Sequence, residues 1–285
     1  MAQAPLAQPA SEWAGSMGER WLAHVDQFES MISEVGAALI DKAKFRPGER
    51  VIDVGCGGGG TSLEISKRVG PQGSVTGLDI SPALVKSCEA RARKAGVTNA
   101  RFVLGDAARA EVKEAPFDRL FSRFGIMFFD DPKAAFAHMR GFLKPGGGAI
   151  FACWGPPDEN PWIQQTMSLA RRFAPQPPNP PPATAPGPFA FGDPGYVREI
   201  LSTAGFAEIA IDPWRGNQFV GGRGASPEAA AQFMLEALPI GDAVKDQPDK
   251  VRRDLRTEVA DVLARYHGKD GVKIDAMAWF VSARR

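Results

Sequence analysis

Tyrosine, histidine and cysteine are scarce in this chain of 285 residues, at two, three and three copies. Cys56, Cys88 and Cys153 are scattered, odd in number and without CxxC spacing, which argues against a disulfide framework and a zinc site. His24, His138 and His267 lie far apart, with no i, i+4 pair, so no metal site is expected. A charge of one sign is also missing. Lys and Arg number 34 against 33 Asp and Glu, so no global field attracts nucleic acid or an anionic membrane. No apolar run approaches a membrane span. Met1 to Gly15 lacks the basic and apolar regions of a signal peptide. These absences predict a protein of the reducing cytoplasm, without membrane insertion.

What is present is apolar material, 44% of the chain. That suffices for one filled core with an elaboration, or two modest domains. Residues 1–12 read as a loose Ala/Gln/Pro tail. Trp21, Val25, Phe28, Ile32, Val35 and Leu39 then form one helical stripe, which Pro47-Gly48 ends. Strand and helix alternate afterwards, with short strands predicted at 51–54, 74–78, 101–104, 117–122 and 149–154. Ser81-Pro82 and Asp131-Pro132 open helices, with a capping side chain followed by Pro in the first turn. Such alternation predicts a parallel sheet covered on both faces. The rhythm breaks at 175–188, where eight prolines predict an extended, polyproline-like segment. A helix near 194–204, a strand near 206–211, further helices from Ser226-Pro227 and Pro248, and a last strand at 277–282 complete the reading.

The chemistry concentrates in Asp53-Val54-Gly55-Cys56-Gly57-Gly58-Gly59-Gly60, after a strand and before a helix. Glycine there permits a tight turn and close approach of backbone N–H groups to a ligand. Alone, this also fits a dinucleotide fingerprint. Three acids sharpen it. Asp53 beside the ligand would repel a pyrophosphate and pair with an ammonium. Asp79 ends the second strand, where a carboxylate can accept ribose hydroxyls. Asp106 ends the third, where a carboxylate can take an adenine amino group. Together they line the strand-end crevice in which open α/β sheets bind ligands.

The sequence resembles the class I S-adenosyl-L-methionine (SAM)-dependent methyltransferases, and within them the bacterial small-molecule group that includes the ubiquinone/menaquinone C-methyltransferases. The matching pieces are 51–59, Gly77-Leu78-Asp79-Ile80-Ser81, Gly105-Asp106-Ala107, Phe117-Asp118 with Ser122-Arg123-Phe124-Gly125, and Leu143 to Gly147. They occur in order over 50–153. The resemblance implies an α/β, Rossmann-like, doubly wound and mostly parallel seven-stranded sheet, with an antiparallel last strand beside the sixth and a helical lid. It implies that Asp53, Gly55, Cys56 and Gly57 hold the methionine part of SAM. Asp79 with Ile80 would meet the ribose, Asp106 with Ala107 the adenine, and Ser122 and Arg123 would flank the sulfonium and acceptor. Trp13 and Trp21 lie in a segment that folds over the cofactor in similar proteins.

The expected layout is an N-terminal tail and lid helix (1–39), a SAM-binding core (40–154), a Pro-rich lid segment (155–192), a core continuation (193–212), a helical lid insertion (213–274) and a final core strand (275–285). Trp162, Phe189, Phe191, Trp214, Phe219, Phe233 and Met234 would supply lid surface, lining a pocket for an apolar or aromatic acceptor or forming a satellite core. Several residues keep two readings. Trp21 is also a core position. Arg123 is a substrate contact or a salt-bridge partner. His24, one turn from Trp21 and Phe28, is a candidate acid/base. Asp130 follows the strand-end loop and is a candidate facing the acceptor. Cys56 is small enough simply to fit the loop. Methyl transfer is an in-line displacement, which positioning and water exclusion can drive without a strong base. The expected partner is a small-molecule acceptor, and a homodimer stays open. The rival readings are an NAD-dependent oxidoreductase, for which no Tyr/Lys hydride-transfer constellation is evident, and a SAM-binding module without catalysis.

Overall fold

The computed structural model describes residues 8–173 and 181–285. The expected tail before residue 8, and the Pro175–Pro180 part of the proline-rich stretch, lie outside the described residues. The chain opens with four short helices, α1 (Ala10–Trp13), α2 (Ser16–Ala23), α3 (Val25–Met31) and α4 (Ser33–Ala43). The predicted single helix is therefore broken, at His24 (φ −118°, ψ 24°) and Ile32 (φ −100°, ψ 18°). Its apolar stripe survives the breaks, for Phe28, Ile32, Val35 and Leu39 are all buried. Periodicity reports which side chains face the core. It does not register one-residue bends that let the stripe wrap a curved surface.

Strands and helices then alternate through β1 (Arg50–Val54), α5 (Gly60–Val69), β2 (Ser74–Asp79), α6 (Pro82–Lys94), β3 (Ala100–Leu104), β4 (Phe117–Arg123), α7 (Pro132–Arg140) and β5 (Leu143–Trp154). After α8 (Pro161–Phe173) and α9 (Pro194–Thr203) come β6 (Ala207–Phe219), α10 (Pro227–Ala237), α11 (Pro239–Asp242), α12 (Asp249–Ala264), the two-residue β7 (His267–Gly268) and β8 (Gly271–Arg284). The capped X-Pro starts form as predicted. Ser81, Asp131 and Ser226 each accept a backbone N–H three residues on, from Leu84, Ala134 and Ala229. Each cap satisfies a donor that the helix leaves free.

The main sheet has the order β3-β2-β1-β4-β5-β8-β6, and β7 pairs only with β8. β1 to β5 pair in parallel, while β8 runs antiparallel between β5 and β6. This is the mostly parallel, doubly wound sheet expected, with its antiparallel last strand. The chain leaves β1 in one direction towards β2 and β3, and the other side holds β4 and β5. The switch point thus lies between β1 and β4, where such sheets open a crevice at their carboxyl ends.

β6 and β8 are longer than predicted. They pair from Ala207↔Arg284 to Phe219↔Lys273, so 213–219 and 271–274 are strand where a helical insertion was expected. Pro213 and Gly216 lie within β6. β6 is the edge of the sheet, where a missing N–H costs no ladder bond. The helices α10 to α12 are carried between the two strands. Among the described residues no helix is long and apolar enough to cross a membrane.

One buried side chain stitches the upper sheet to α8. Asn160 Nδ2 donates to the carbonyls of Pro156 (3.0 Å) and Met277 (3.1 Å), and its Oδ1 accepts from Met277 N (3.0 Å) and Trp162 Nε1 (3.1 Å). Asn160→Ala should leave these buried partners unsatisfied and destabilise the protein by roughly 3 kcal/mol, read as a lower urea midpoint. An unchanged midpoint would contradict the stitching role.

Candidate functional site

The site is built where β1 and β4 end. Gly55 has φ +65° and packs on Gly125, so that a Cβ at Gly55 would lie 2.6 Å from Gly125 Cα. Only glycine permits both the left-handed turn and this backbone contact. Gly57 (φ +55°) faces the indole of Trp21, whose Nε1 would stand 3.5 Å from an added Cβ. Ser122 secures the same junction from below. Its Oγ donates to Val54 O (2.7 Å) and accepts from Gly125 N (3.2 Å). Phe124, between them, is a non-glycine residue at φ +65°. Its ring stacks on Trp154 at 4.0 Å.

Above this junction lies a cleft of roughly 1360 Å³, counted out to its mouth. Trp21, Gly55, Gly57, Asp79, Ile80, Asp106, Ala107 and Arg123 stand on its wall. Asp79 Oδ2 accepts from Gly57 N (2.8 Å) and Oδ1 from Ser81 N (2.9 Å). Burial pushes its carboxyl up to about 6, against the pull of backbone donors at Ser81, Gly57 and Ile80. Asp106 Oδ1 accepts from Ala108 N (2.9 Å), and Oδ2 pairs with Arg109 (2.8 Å). Both acids are thus held by short local bonds at the ends of β2 and β3.

Five candidates lie off that wall. Asp53 is fully buried behind the loop, where Oδ2 accepts from Thr61 Oγ1 (2.7 Å) and Ser62 Oγ (2.6 Å) and anchors the first turn of α5. Its Oδ1 has no partner. Burial raises its carboxyl to about 6, and the Ser62 and Thr61 bonds offset only part of this. Cys56 is buried against Cys88, and that hydrogen bond together with burial pushes its thiol well up, which suits packing and not nucleophilic attack. Ser122 is spent on the sheet junction. His24 turns away to α10, edge-on to Phe233 at 5.8 Å and 3.9 Å from Glu236. Asp130 is exposed beside the helix cap Asp131. The helix break at His24 re-aims one, and the loop before α7 leaves the other in solvent, neither of which spacing records.

Arg123 forms the salt bridge of one of its two readings. It reaches the wall and pairs with Glu29 of α3 at 2.8 Å, with only 9% of its side chain exposed. Gly36 of α4 makes room for it, since a Cβ there would stand 3.0 Å from Arg123 Nη1. Glu29 was not singled out from sequence; its position beside Phe28 on the stripe carried no signal of a partner 94 residues away. Also unforeseen on the wall are Gln8, Met17, Arg20, Phe124, Met127 and Phe128. Of the expected lid aromatics, Trp162 and Phe189 line the cleft, whereas Phe191, Phe219, Phe233 and Met234 are buried in packing and Trp214 stacks on Phe280 at 6.1 Å. Trp13 meets Trp21 (5.7 Å) and Phe128 (4.9 Å) edge-on, and Trp21 stacks on Phe28 at 3.8 Å.

A SAM-shaped ligand fits what these residues leave open. The indole N–H groups of Trp13 and Trp21, two residues of the cleft wall, are buried without partners among the described residues. Buried polar groups without partners are uncommon in folded chains. Trp21 Nε1 stands beside Gly57 and supplies a donor there, which suits the carboxylate of an amino-acid end.

Sheet order, strand-end acids and glycine loop together give a Rossmann-like α/β architecture with a cleft at its switch point. Residues 45–171, somewhat under half of the chain, match the family described as methyltransferase domain. It is 31% identical over 182 residues to nocamycin O-methyltransferase of Saccharothrix syringae, covering 61% of this chain and 65% of that one. It is 28% identical over 137 residues to demethylmenaquinone methyltransferase of Geobacillus kaustophilus, covering 46% and 58%. The chain thus spans less than two thirds of either relative's length. The crystal structure of YcgJ from Bacillus subtilis has the same fold, with TM-score 0.56 and 18% identity over 89% of this chain and 98% of that one.

Asp53 makes a testable contribution to stability. Its carboxyl is near 3.8 when unfolded and about 6 when folded. The folded state therefore holds the proton more tightly, so this group's contribution falls as pH rises from 3.8 to 6 and is constant above. Asp53→Asn removes that dependence. The stability of Asp53→Asn relative to wild type, from denaturant titrations, should grow between pH 4 and 6 and then level off. A pH-independent difference would refute the raised pKa.

Proposed function

We propose that the protein transfers a methyl group from SAM to a small acceptor with an apolar or aromatic body. One observation carries the acceptor class: the cleft beyond the glycine loop is walled by Phe124, Phe128, Trp154, Trp162, Ile163 and Phe189. The same cleft runs from the strand-end acids Asp79 and Asp106 to this aromatic wall, so cofactor and acceptor would share it. A relative named for demethylmenaquinone, a quinone, supports the same acceptor class.

When bound, SAM supplies a methyl group already activated by its sulfonium. The Gly55–Gly57 backbone and Trp21 Nε1 would hold its amino-acid end, braced from behind by Asp53, with Asp79 and Ile80 at the ribose and Asp106 and Ala107 at the adenine. The aromatic wall orients the acceptor and excludes water, and Arg123, locked by Glu29, keeps a fixed positive charge at the end of β4. Among the described residues, the charged side chains on the wall are Arg20, Asp79, Asp106 and Arg123. Both acids are engaged by local donors, so neither is a free general base. Catalysis then rests on proximity and orientation, which can supply much of a displacement barrier.

Calorimetric titration with SAM, S-adenosylhomocysteine and NAD tests the cofactor half. Both adenosyl ligands should bind and NAD should not; binding of NAD alone would sink the proposal. Trp21→Phe keeps the stack on Phe28 but removes the donor, and should weaken S-adenosylhomocysteine about fivefold. Wild-type affinity should also drop as pH falls through about 6, because a protonated Asp79 is a poorer acceptor for ribose hydroxyls. Asp79→Asn should bind weakly at every pH and flatten that profile. For the acceptor half, a screen in which only highly polar compounds are methylated would overturn the reading.

A further inference from the structure

Three of the four charged residues on the wall have their charge matched or capped by bonds already described, Asp79 by backbone donors, Asp106 by Arg109 and Arg123 by Glu29. Arg20 differs. It stands on α2 between Met17 and Trp21 of the wall, on the side that continues into Ala237, Leu238 and Pro239 of the lid. Its only hydrogen bond to the described residues runs from Nη1 to Asp242 Oδ2 of α11, at 2.9 Å. The two side chains remain 31% and 23% exposed. A guanidinium offers five N–H donors in a planar fork. Asp242 engages one nitrogen, and no other described residue bonds the Nε–Nη2 edge; the neighbouring wall residues Met17, Trp21, Ala237, Leu238 and Pro239 are apolar or aromatic.

We propose that Arg20 is a specificity-determining residue that reads a carboxylate on the acceptor, so that the preferred acceptors are apolar or aromatic acids. The inference rests on the methyltransferase reading above and deepens it. Asp242 fixes one edge of the fork and aims the other. A planar, two-oxygen anion matches that edge in two parallel bonds, as a neutral ester or a single hydroxyl does not. Were the Arg20–Asp242 pair only a latch between α2 and α11, it would not distinguish an acid from its ester.

The test uses the full-length protein saturated with S-adenosylhomocysteine, titrated calorimetrically with 1-naphthoate and with methyl 1-naphthoate. Wild type should bind the acid about tenfold more tightly than the ester. Arg20→Met should bring the two to parity, with S-adenosylhomocysteine affinity unchanged to within about twofold, which also certifies the fold. Arg20→Lys, a cation without the fork, should keep only part of the preference. Asp242→Asn should bind the acid at least as well as wild type. Equal binding of both probes to wild type, binding of neither, or a preference that survives Arg20→Met would overturn the proposal. So would a loss confined to S-adenosylhomocysteine in Arg20→Met, which would assign Arg20 to the cofactor's own carboxylate. Failure of S-adenosylhomocysteine to bind wild type is a different result, and removes the cofactor reading on which this one stands.

Discussion

The backbone contact between Gly55 and Gly125 is the constraint on which the rest of the site depends. Two strand ends can meet this closely only when neither carries a side chain. Their meeting joins β1 to β4 at the switch point and turns the glycine loop upward, so that Gly57 faces the cleft. Ser122 bonds both sides of the junction. Phe124, held at positive φ between them, is tolerated there because its ring is stacked on Trp154. A residue held in that region costs free energy unless its surroundings determine it. Here the surroundings are one wall of the cleft.

Charge is managed by layers around that junction. Asp53 is the deepest, anchored by two hydroxyls of α5 and close enough to Arg123 and Glu29 to feel both. Arg123 and Glu29 neutralise one another above it, and α4 contributes Gly36 so that the guanidinium fits. Asp79 and Asp106 form the outer row, facing the cleft. Such an arrangement keeps acids near a ligand site without leaving them unpaired, since an isolated buried charge would cost far more than any ligand returns. The remaining surface of the cleft is mostly apolar, and Arg20 is the more exposed of its two arginines.

The alternation of strands and helices and the capped helix starts were legible because each rests on local chemistry, whereas the antiparallel last strand came from the family resemblance. Period, glycine and Ser/Asp-Pro signals act within a few residues. The same holds for Gly55, Gly57, Asp79, Asp106 and Ala107, which sit at strand ends that the motif itself marks. Where reading failed, the missing term was distance or environment. The stripe from Trp21 to Leu39 could not announce its breaks, because side-chain spacing is nearly preserved across them. The length of β6 was missed because only the assembled sheet shows that it pairs with β8 along an edge.

What the sequence determined by itself is the kind of machine: a glycine turn between strand and helix, with acids at three successive strand ends, admits few architectures and few ligands. Which side chains share the cleft was decided by tertiary structure. His24 and Asp130 were turned away from it, Asp53, Cys56 and Ser122 were placed behind its wall, and Glu29, Arg20 and Phe128 were brought to or beside it from elements far apart in the chain. The physical reason is that a pocket's wall is made by packing between elements, and packing depends on helix breaks and strand lengths that local propensities do not encode.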